Sequence, residues 1–167
     1  MTEAAAAGGT HAVTLAAVED DALRRRVLAL APRRDQEGYS GVPRHTLADA
    51  ERRRALPVAI MADGEPVGFF VLDPAGVPGG QGIRSSVGLR AFFVDARFQG
   101  RGIGGAALAA LPDFTRPRFP SARAVVLTVN VGNHIARRTY LHAGFRDTGT
   151  VHLGGTLGAQ QVLVLDL

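Results

Sequence analysis

Val87-Gly-Leu-Arg-Ala-Phe-Phe-Val94 runs through Asp95-Ala-Arg-Phe98 into Gln99-Gly-Arg-Gly-Ile-Gly104, and the fold is decided by how this stretch is read. The first part is apolar and rich in Val and Phe, as a strand is. Beyond the glycines, Ala106 to Leu111 is an apolar run suited to a helix that begins near Gly102. Glycines at such a junction leave backbone amides unhindered at a helix N-terminus, where a phosphate can approach closely. If they only permitted a tight turn, three alternating glycines would weaken the helix start for nothing in return. The segment therefore reads as an anion cradle.

Gly100, Gly102 and Gly105 also satisfy the G-x-G-x-x-G spacing of a dinucleotide site. Such a site wants an early βαβ unit and an acidic residue about 20 positions onward. Here a hairpin precedes the glycines, and Pro120 to Val129 contains no acid.

That hairpin is Val58 to Met61 and Val67 to Leu72 around Asp63-Gly64, a strong turn signal between two apolar runs. Further upstream, His11 to Ala17 has strand character. Glu19-Asp20-Asp21 sets acids in a first helical turn, where the helix dipole favours them, and Leu23, Val27 and Leu30 mark one face. Pro32 is expected to stop that helix, the polar stretch through Pro43 to be a loop, and Thr46 to cap a short second helix. Asp73 to Gly82, with its prolines and glycines, connects to the strand at Val87.

Downstream, Pro112 should end or kink the third helix. Ala124 to Val129 is another strand. Asn133 can cap a fourth helix, His134 to His142, which Gly144 closes. Strands near Asp147 to Leu153 and Gln160 to Leu165 complete the order β α α β β β α β α β β. An α+β fold with a mixed sheet follows, its βαβ crossover bringing two strands parallel.

The length fits one domain over residues 10–167, preceded by an Ala-rich tail at residues 1–9 that has no basic flank and is not read as a signal peptide. No apolar run approaches the roughly 18 residues of a membrane span. There is no cysteine, and the five histidines are scattered, so neither disulfides nor a metal site is expected. All 19 basic residues are arginine, but 15 acids are interspersed and the net charge is only +4. Arg24 to Arg26 and Arg52 to Arg54 are therefore read as solvated helix faces rather than as a nucleic-acid surface.

Phe93-Val94 followed by Gln99 to Gly104 resembles the acyl-CoA-binding motif of the GNAT superfamily of N-acetyltransferases. A second block resembles that family's next strand and helix and its closing Gly-Phe: Leu127-Thr-Val-Asn130, Asn133, Ala136 and Tyr140-Leu-His-Ala-Gly-Phe145. The hairpin Val58 to Phe70 is similar to its central hairpin, and Gln36 to Tyr39 is faintly similar to its diamine-acetylating branch. The resemblance implies a mostly antiparallel sheet of six to seven strands flanked by about four helices. Within it, a splayed parallel pair leaves a slot for the pantetheine arm of acetyl-CoA.

The resemblance also implies that backbone near Phe93 and Val94 holds that arm and that amides of Gly100, Arg101, Gly102, Ile103, Gly104 and Gly105 bind the pyrophosphate. Gln99 and Arg101 stand at the rim in this reading, and Asn130, Asn133 and Arg137 lie along the other side, although Arg137 also suits an ordinary helix surface. A cytoplasmic location is expected from the donor, and the edge of the last strands is a candidate surface for a homodimer. The acceptor is a small-molecule or peptide amine, with neither nucleic acid nor membrane as partner.

Acetyl transfer needs a neutral amine, and an alkylamine of pKa about 10.4 is neutral only about once in 2,500 molecules at pH 7. An amide near Val94 can stabilise the developing oxyanion, and the departing thiolate benefits from a proton donor. Tyr140, which the resemblance sets beside the sulfur, is the candidate acid; a packed core tyrosine is the alternative. Relatives in the polyamine-acetylating branch carry a glutamate base in the strand where Arg90 stands, and an arginine cannot act as a base. Three readings stay open: a water relay to a carboxylate elsewhere, Arg90 binding an anionic group of the acceptor, or Arg90 facing solvent. The alternative to an enzyme is a non-catalytic acyl-CoA-binding sensor.

Overall fold

The computed structural model describes residues 11–167, so the tail at residues 1–9 and the first residue of the expected domain lie outside the described residues. Seven strands form one sheet in the order β1-β2-β3-β4-β5-β7-β6. They are β1 (Val13–Ala17), β2 (Leu56–Ala62), β3 (Glu65–Asp73), β4 (Ser86–Val94), β5 (Ala124–Asn130), β6 (Arg146–His152) and β7 (Gln160–Asp166). All neighbours are antiparallel except β4 and β5. The helices are α1 (Asp21–Leu28), α2 (Glu37–Ser40), α3 (Pro43–Arg53), α4 (Ile103–Thr115) and α5 (His134–His142). α2 is a single turn.

β3 shows why the sheet has a core on both faces. It is buried from Pro66 to Asp73, and alternate side chains point to opposite sides. Phe70 and Leu72 join Leu108, Leu111 and Leu127 on one face, while Phe69 and Val71 join Val27, Leu47 and Phe93 on the other. Each such fully buried side chain contributes about 1.5–3 kcal/mol relative to exposure. β6 is the opposite case, an edge strand largely exposed along its length.

Four sequence expectations need correction. The first helix ends at Leu28, before Pro32, as the amides of Ala29 and Leu30 turn back to Arg26 O and Val27 O. Leu30 thereby enters the core. The expected loop before Pro43 contains a 3-10 turn at Arg34–Gln36 and then α2. Thr46 does not cap α3: Pro43 opens that helix, where its fixed φ suits the first turn, and the Thr46 hydroxyl donates back to Val42 O at 2.8 Å. Pro112 does not end α4, which continues to Thr115. Only one more turn follows the proline, held by Thr115 Oγ1 to Leu111 O at 2.7 Å and Arg116 N to Pro112 O at 3.0 Å.

The functional geometry comes from an incomplete pairing. β4 and β5 pair only over Ser86–Gly88 and Ala124–Val126. Beyond that point β4 bulges against β3, where the register slips between Phe69 and Val71 and Ala91 takes a left-handed φ of 54°. A bulge bends its strand and increases the local twist, so β4 departs from β5 and leaves a slot. Gly88 secures the last paired position because a Cβ there would lie 2.6 Å from the Gly76 backbone of the β3–β4 connection.

Candidate active site

The mouth of the slot is the N-terminus of α4. Gly100 and Gly102 have φ of 77° and 75°, and a Cβ at either would meet no atom within 4 Å. The glycines are therefore required by backbone conformation, not by crowding. Gly102 takes the N-cap position and supplies no side-chain bond, so the first-turn amides have no side-chain partner. Unbonded amides at a helix N-terminus form a site for an anion. The loop before them is fixed by Asp95, 2% exposed, which accepts from Ala31 N, Arg97 N and Arg97 Nε at 2.8–3.0 Å. Burial works against the Asp95 charge, but the Arg97 guanidinium and these backbone donors outweigh it and hold the carboxyl below its ordinary 3.8.

Two adjoining clefts follow from the splay. The first, about 290 Å³, lies at the cradle and is lined by Phe92, Phe93 and Val94, by Gln99, Gly100, Gly102, Ile103, Gly104 and Gly105, and by Asn133 and Tyr140. The second, about 260 Å³, lies between the separated strands, lined by Leu89 to Phe92 of β4 and Leu127 to Asn130 of β5, and again by Asn133 and Tyr140. Tyr140 thus stands where the two clefts join. Its half-buried ring packs edge-on between Phe92 and Phe145, with centroids 6.0 and 5.7 Å away. Burial pushes its hydroxyl above the ordinary value of 10.0, so it remains a protonated donor at neutral pH.

Several sequence-selected residues take positions that narrow what they can do. Phe93 is 4% exposed, its ring packed against Phe69, so only its backbone is offered to the cleft as a polar group. The Val94 carbonyl accepts from Gln99 Nε2 at 2.8 Å, and the same nitrogen donates to Gln36 Oε1 at 2.7 Å. Gln99 therefore ties the cradle to the segment before α2. Asn130 bonds Leu157 O at 2.7 Å and accepts from Gly132 N at 2.9 Å, shaping the loops beyond the second cleft. Asn133 caps α5 through Ala136 N.

Arg137 lines neither cleft and pairs with Asp147 at 3.1 Å, joining α5 to β6. Arg101 likewise lies outside both linings, its guanidinium 5.5 Å from the Phe98 ring centroid. Arg90 does not face open solvent: it lines the second cleft, with its side chain 27% exposed and Nη1 3.6 Å from Asp73.

Sequence reasoning missed other lining residues. Ile135 and Thr139 share the first cleft with Tyr140 and with Ala136, which the second sequence block names without a role and which lies one helical turn before Tyr140. Tyr39 and Ser40 of α2 line both clefts; the faint family likeness of Gln36 to Tyr39 reaches the first of them but assigns it no role, and Ser40 lies outside it.

An uncapped helix N-terminus thus opens onto a cleft between splayed parallel strands, with the half-buried ring of Tyr140 at their junction. The sequence pattern of the acetyltransferase (GNAT) family matches residues 24–145. The chain belongs to that family. This GNAT chain is 30% identical over 132 residues to an uncharacterized N-acetyltransferase, YbbJ, of Bacillus subtilis (strain 168), covering 77% of this chain and 82% of the relative. It is 29% identical over 156 residues to the spermine/spermidine N(1)-acetyltransferase of the same organism, covering 93% and 99%.

Among solved structures, aminoglycoside acetyltransferase AAC(6')-Ib in complex with coenzyme A superposes with a TM-score of 0.71 at 19% identity, covering 92% and 94% of the two chains. Spermidine N-acetyltransferase from Vibrio cholerae, in complex with CoA and spermine, gives 0.69 at 15%, covering 92% and 95%. These likenesses confirm the α+β fold with its splayed strand pair, and the family makes the chain an N-acetyltransferase. Among the described residues no helix is long and apolar enough to cross a membrane, and no group of three or more His, Asp or Glu is placed to hold a metal.

Proposed function

We propose that this GNAT chain transfers an acetyl group from acetyl-CoA to a primary amine of a small molecule or of a protein. The observation that carries the reading is the uncapped α4 N-terminus opening onto a cleft that Tyr140 shares with the gap between β4 and β5. These residues fit the donor: the amides from Gly102 to Gly105 suit a pyrophosphate, and the cleft beyond them runs beside Phe92, Phe93 and Val94, whose backbone can bond an extended arm. Acetyl-CoA supplies the activated acyl group as a thioester.

The chain's own part is to position and to move protons. As the amine nitrogen bonds the acetyl carbon and the carbon–sulfur bond breaks, Tyr140 gives its proton to the departing sulfur. The proton the nitrogen loses passes to water, from which the phenol is restored, and its raised pKa keeps it loaded. Phe92 and Phe145 hold the ring and keep water from that side. The second cleft takes the acceptor, with Arg90 on its wall. Gln99 braces the donor cleft, since one amide nitrogen bonds both Val94 O and Gln36 Oε1. A cytoplasmic location suits this donor, and the exposed edge of β6 is where a second copy would pair.

The test is thiol release from acetyl-CoA by the purified protein against a panel of primary amines. Release with any amine is expected. Tight acetyl-CoA binding with no release across the panel would make the chain a sensor.

A further inference from the structure

Asp73, the last residue of β3, is fully buried. Its Oδ1 accepts from Ala75 N at 2.9 Å, whereas its buried Oδ2 has no hydrogen-bond partner. Two guanidinium groups stand beside that oxygen, Arg90 Nη1 at 3.6 Å and Arg53 Nη1 at 3.7 Å. Both distances are ion-pair distances beyond hydrogen-bond reach. Asp73 thus anchors both arginines by charge without consuming their directed N–H donors.

The register explains the convergence. Asp73 opposes Gly88 across β3 and β4, and Arg90 is two residues further along β4, on the same face. Arg53 arrives from the last turn of α3 and is held at Nε by Asp49 Oδ2 at 2.8 Å, while Arg52 contacts the other Asp49 oxygen at 3.2 Å. Arg53 and Arg90 are matched in charge by Asp49 and Asp73, while Arg52, 71% exposed, lines none of the clefts that they line. The charge that reaches the cleft holding Tyr140 is that of Arg90, the one charged residue among the described residues lining it, and Arg90 and Arg53 together line two further clefts.

Resting on the acetyltransferase reading above, we infer that Arg90 and Arg53, braced by Asp73, form a subsite for an anionic group, carboxylate or phosphate, on the acceptor amine. A guanidinium half-withdrawn from water, with its fork of donors not bonded to its counter-ion, matches the planar oxygens of such a group. The same charge opposes an acceptor with a second ammonium. The acceptor is therefore an amino acid or amino phosphate in chemistry, and not a polyamine.

The experiment measures kcat/KM for thiol release with four acceptors of matched length: 5-aminopentanoate, an aminoalkylphosphonate, the corresponding amino alcohol and the corresponding diamine. The two anionic acceptors should exceed the amino alcohol by roughly tenfold or more, mainly through KM, with the diamine lowest. Comparing the first two distinguishes carboxylate from phosphate chemistry. Arg90→Gln should bring the anion-to-alcohol ratio close to one while acetyl-CoA affinity is unchanged, and Arg90→Lys, which keeps charge but loses the fork, should retain part of it.

A diamine preference, equal rates for all four, or an equal loss on every acceptor in Arg90→Gln would overturn the subsite and leave the acetyltransferase reading standing. If no acceptor is turned over, inorganic phosphate and glutarate are titrated calorimetrically into the CoA-saturated protein. Binding that is lost in Arg90→Gln supports the subsite, and absence of binding to the unmodified protein refutes it. Failure to bind acetyl-CoA at all would instead strike the proposed function.

Discussion

At the α4 end of the slot the lining centres on backbone from one short stretch, Gln99, Gly100 and Gly102 to Gly105, whereas at the Arg90 end it is made by side chains brought from α2, α3, β4 and the β6–β7 loop. The first end is built by conformation: two left-handed glycines and a helix start without a side-chain cap. The second is built by charge, with a buried aspartate between two arginines. A backbone site recognises what every donor molecule shares, and a side-chain site can be changed residue by residue to choose an acceptor. Tyr140, between them, belongs to both clefts.

The sharpest way to break this division is to damage one end and read the other. Gly102→Glu adds a carboxylate and a Cβ at a φ of 75°, in the space where a pyrophosphate would lie. It should weaken acetyl-CoA binding by roughly 100-fold or more, the strain and the charge repulsion acting together. Far-ultraviolet circular dichroism should stay unchanged, because no atom lies within 4 Å of that Cβ.

Tyr140→Phe probes the junction. It keeps the packing on Phe92 and Phe145 and removes only the proton donor. Turnover should fall by about 100-fold, with acetyl-CoA affinity nearly unaltered by calorimetry. Unchanged turnover would reduce Tyr140 to a packing residue.

The support of the cradle is open to a stability test. Asp95→Ala leaves the buried-side donors of Ala31 and Arg97 without their acceptor and should cost roughly 3 kcal/mol in thermal or urea unfolding. Because the folded Asp95 carboxyl lies below its ordinary 3.8, its contribution is fully present above that value. It is lost as pH falls through the folded pKa. The difference between parent and variant should therefore shrink in acid.

The smallest expected effect concerns Tyr140 again. Its folded pKa lies above the ordinary 10.0, so the neutral phenol is favoured in the fold, and its stabilisation is complete below that pH and lost as pH rises toward the folded value. A pH profile of kcat should accordingly show no alkaline decline from this group below pH 10.0.

The same contrast governs what was legible in the sequence. The cradle was readable because its requirements are local: Gly100, Gly102 and Gly104 sit at a strand-to-helix junction within a few residues of one another. Asn133 as the α5 cap was readable for the same reason, and the helix it begins has the expected bounds, His134–His142. Arg90 was visible as an anomaly, but its partner was not. Asp73 lies across the sheet and Arg53 on another helix, and only the β3–β4 register brings them together.

Arg137 shows the converse limit. Its place on α5 was read correctly, yet Asp147, ten residues on, draws it toward β6. Pro112 shows a third: a general cost of proline in a helix did not stop α4, since only one turn remained and Thr115 and Arg116 close it. Local chemistry is written in the chain, and charge partnership across the sheet is settled by packing.

The most direct test of the central claim is a calorimetric titration of the purified protein with acetyl-CoA, beside NAD and ATP. Micromolar binding of acetyl-CoA, with markedly weaker binding of the two nucleotide controls, is the predicted result. No heat of binding with acetyl-CoA, or tighter binding of NAD, would contradict it.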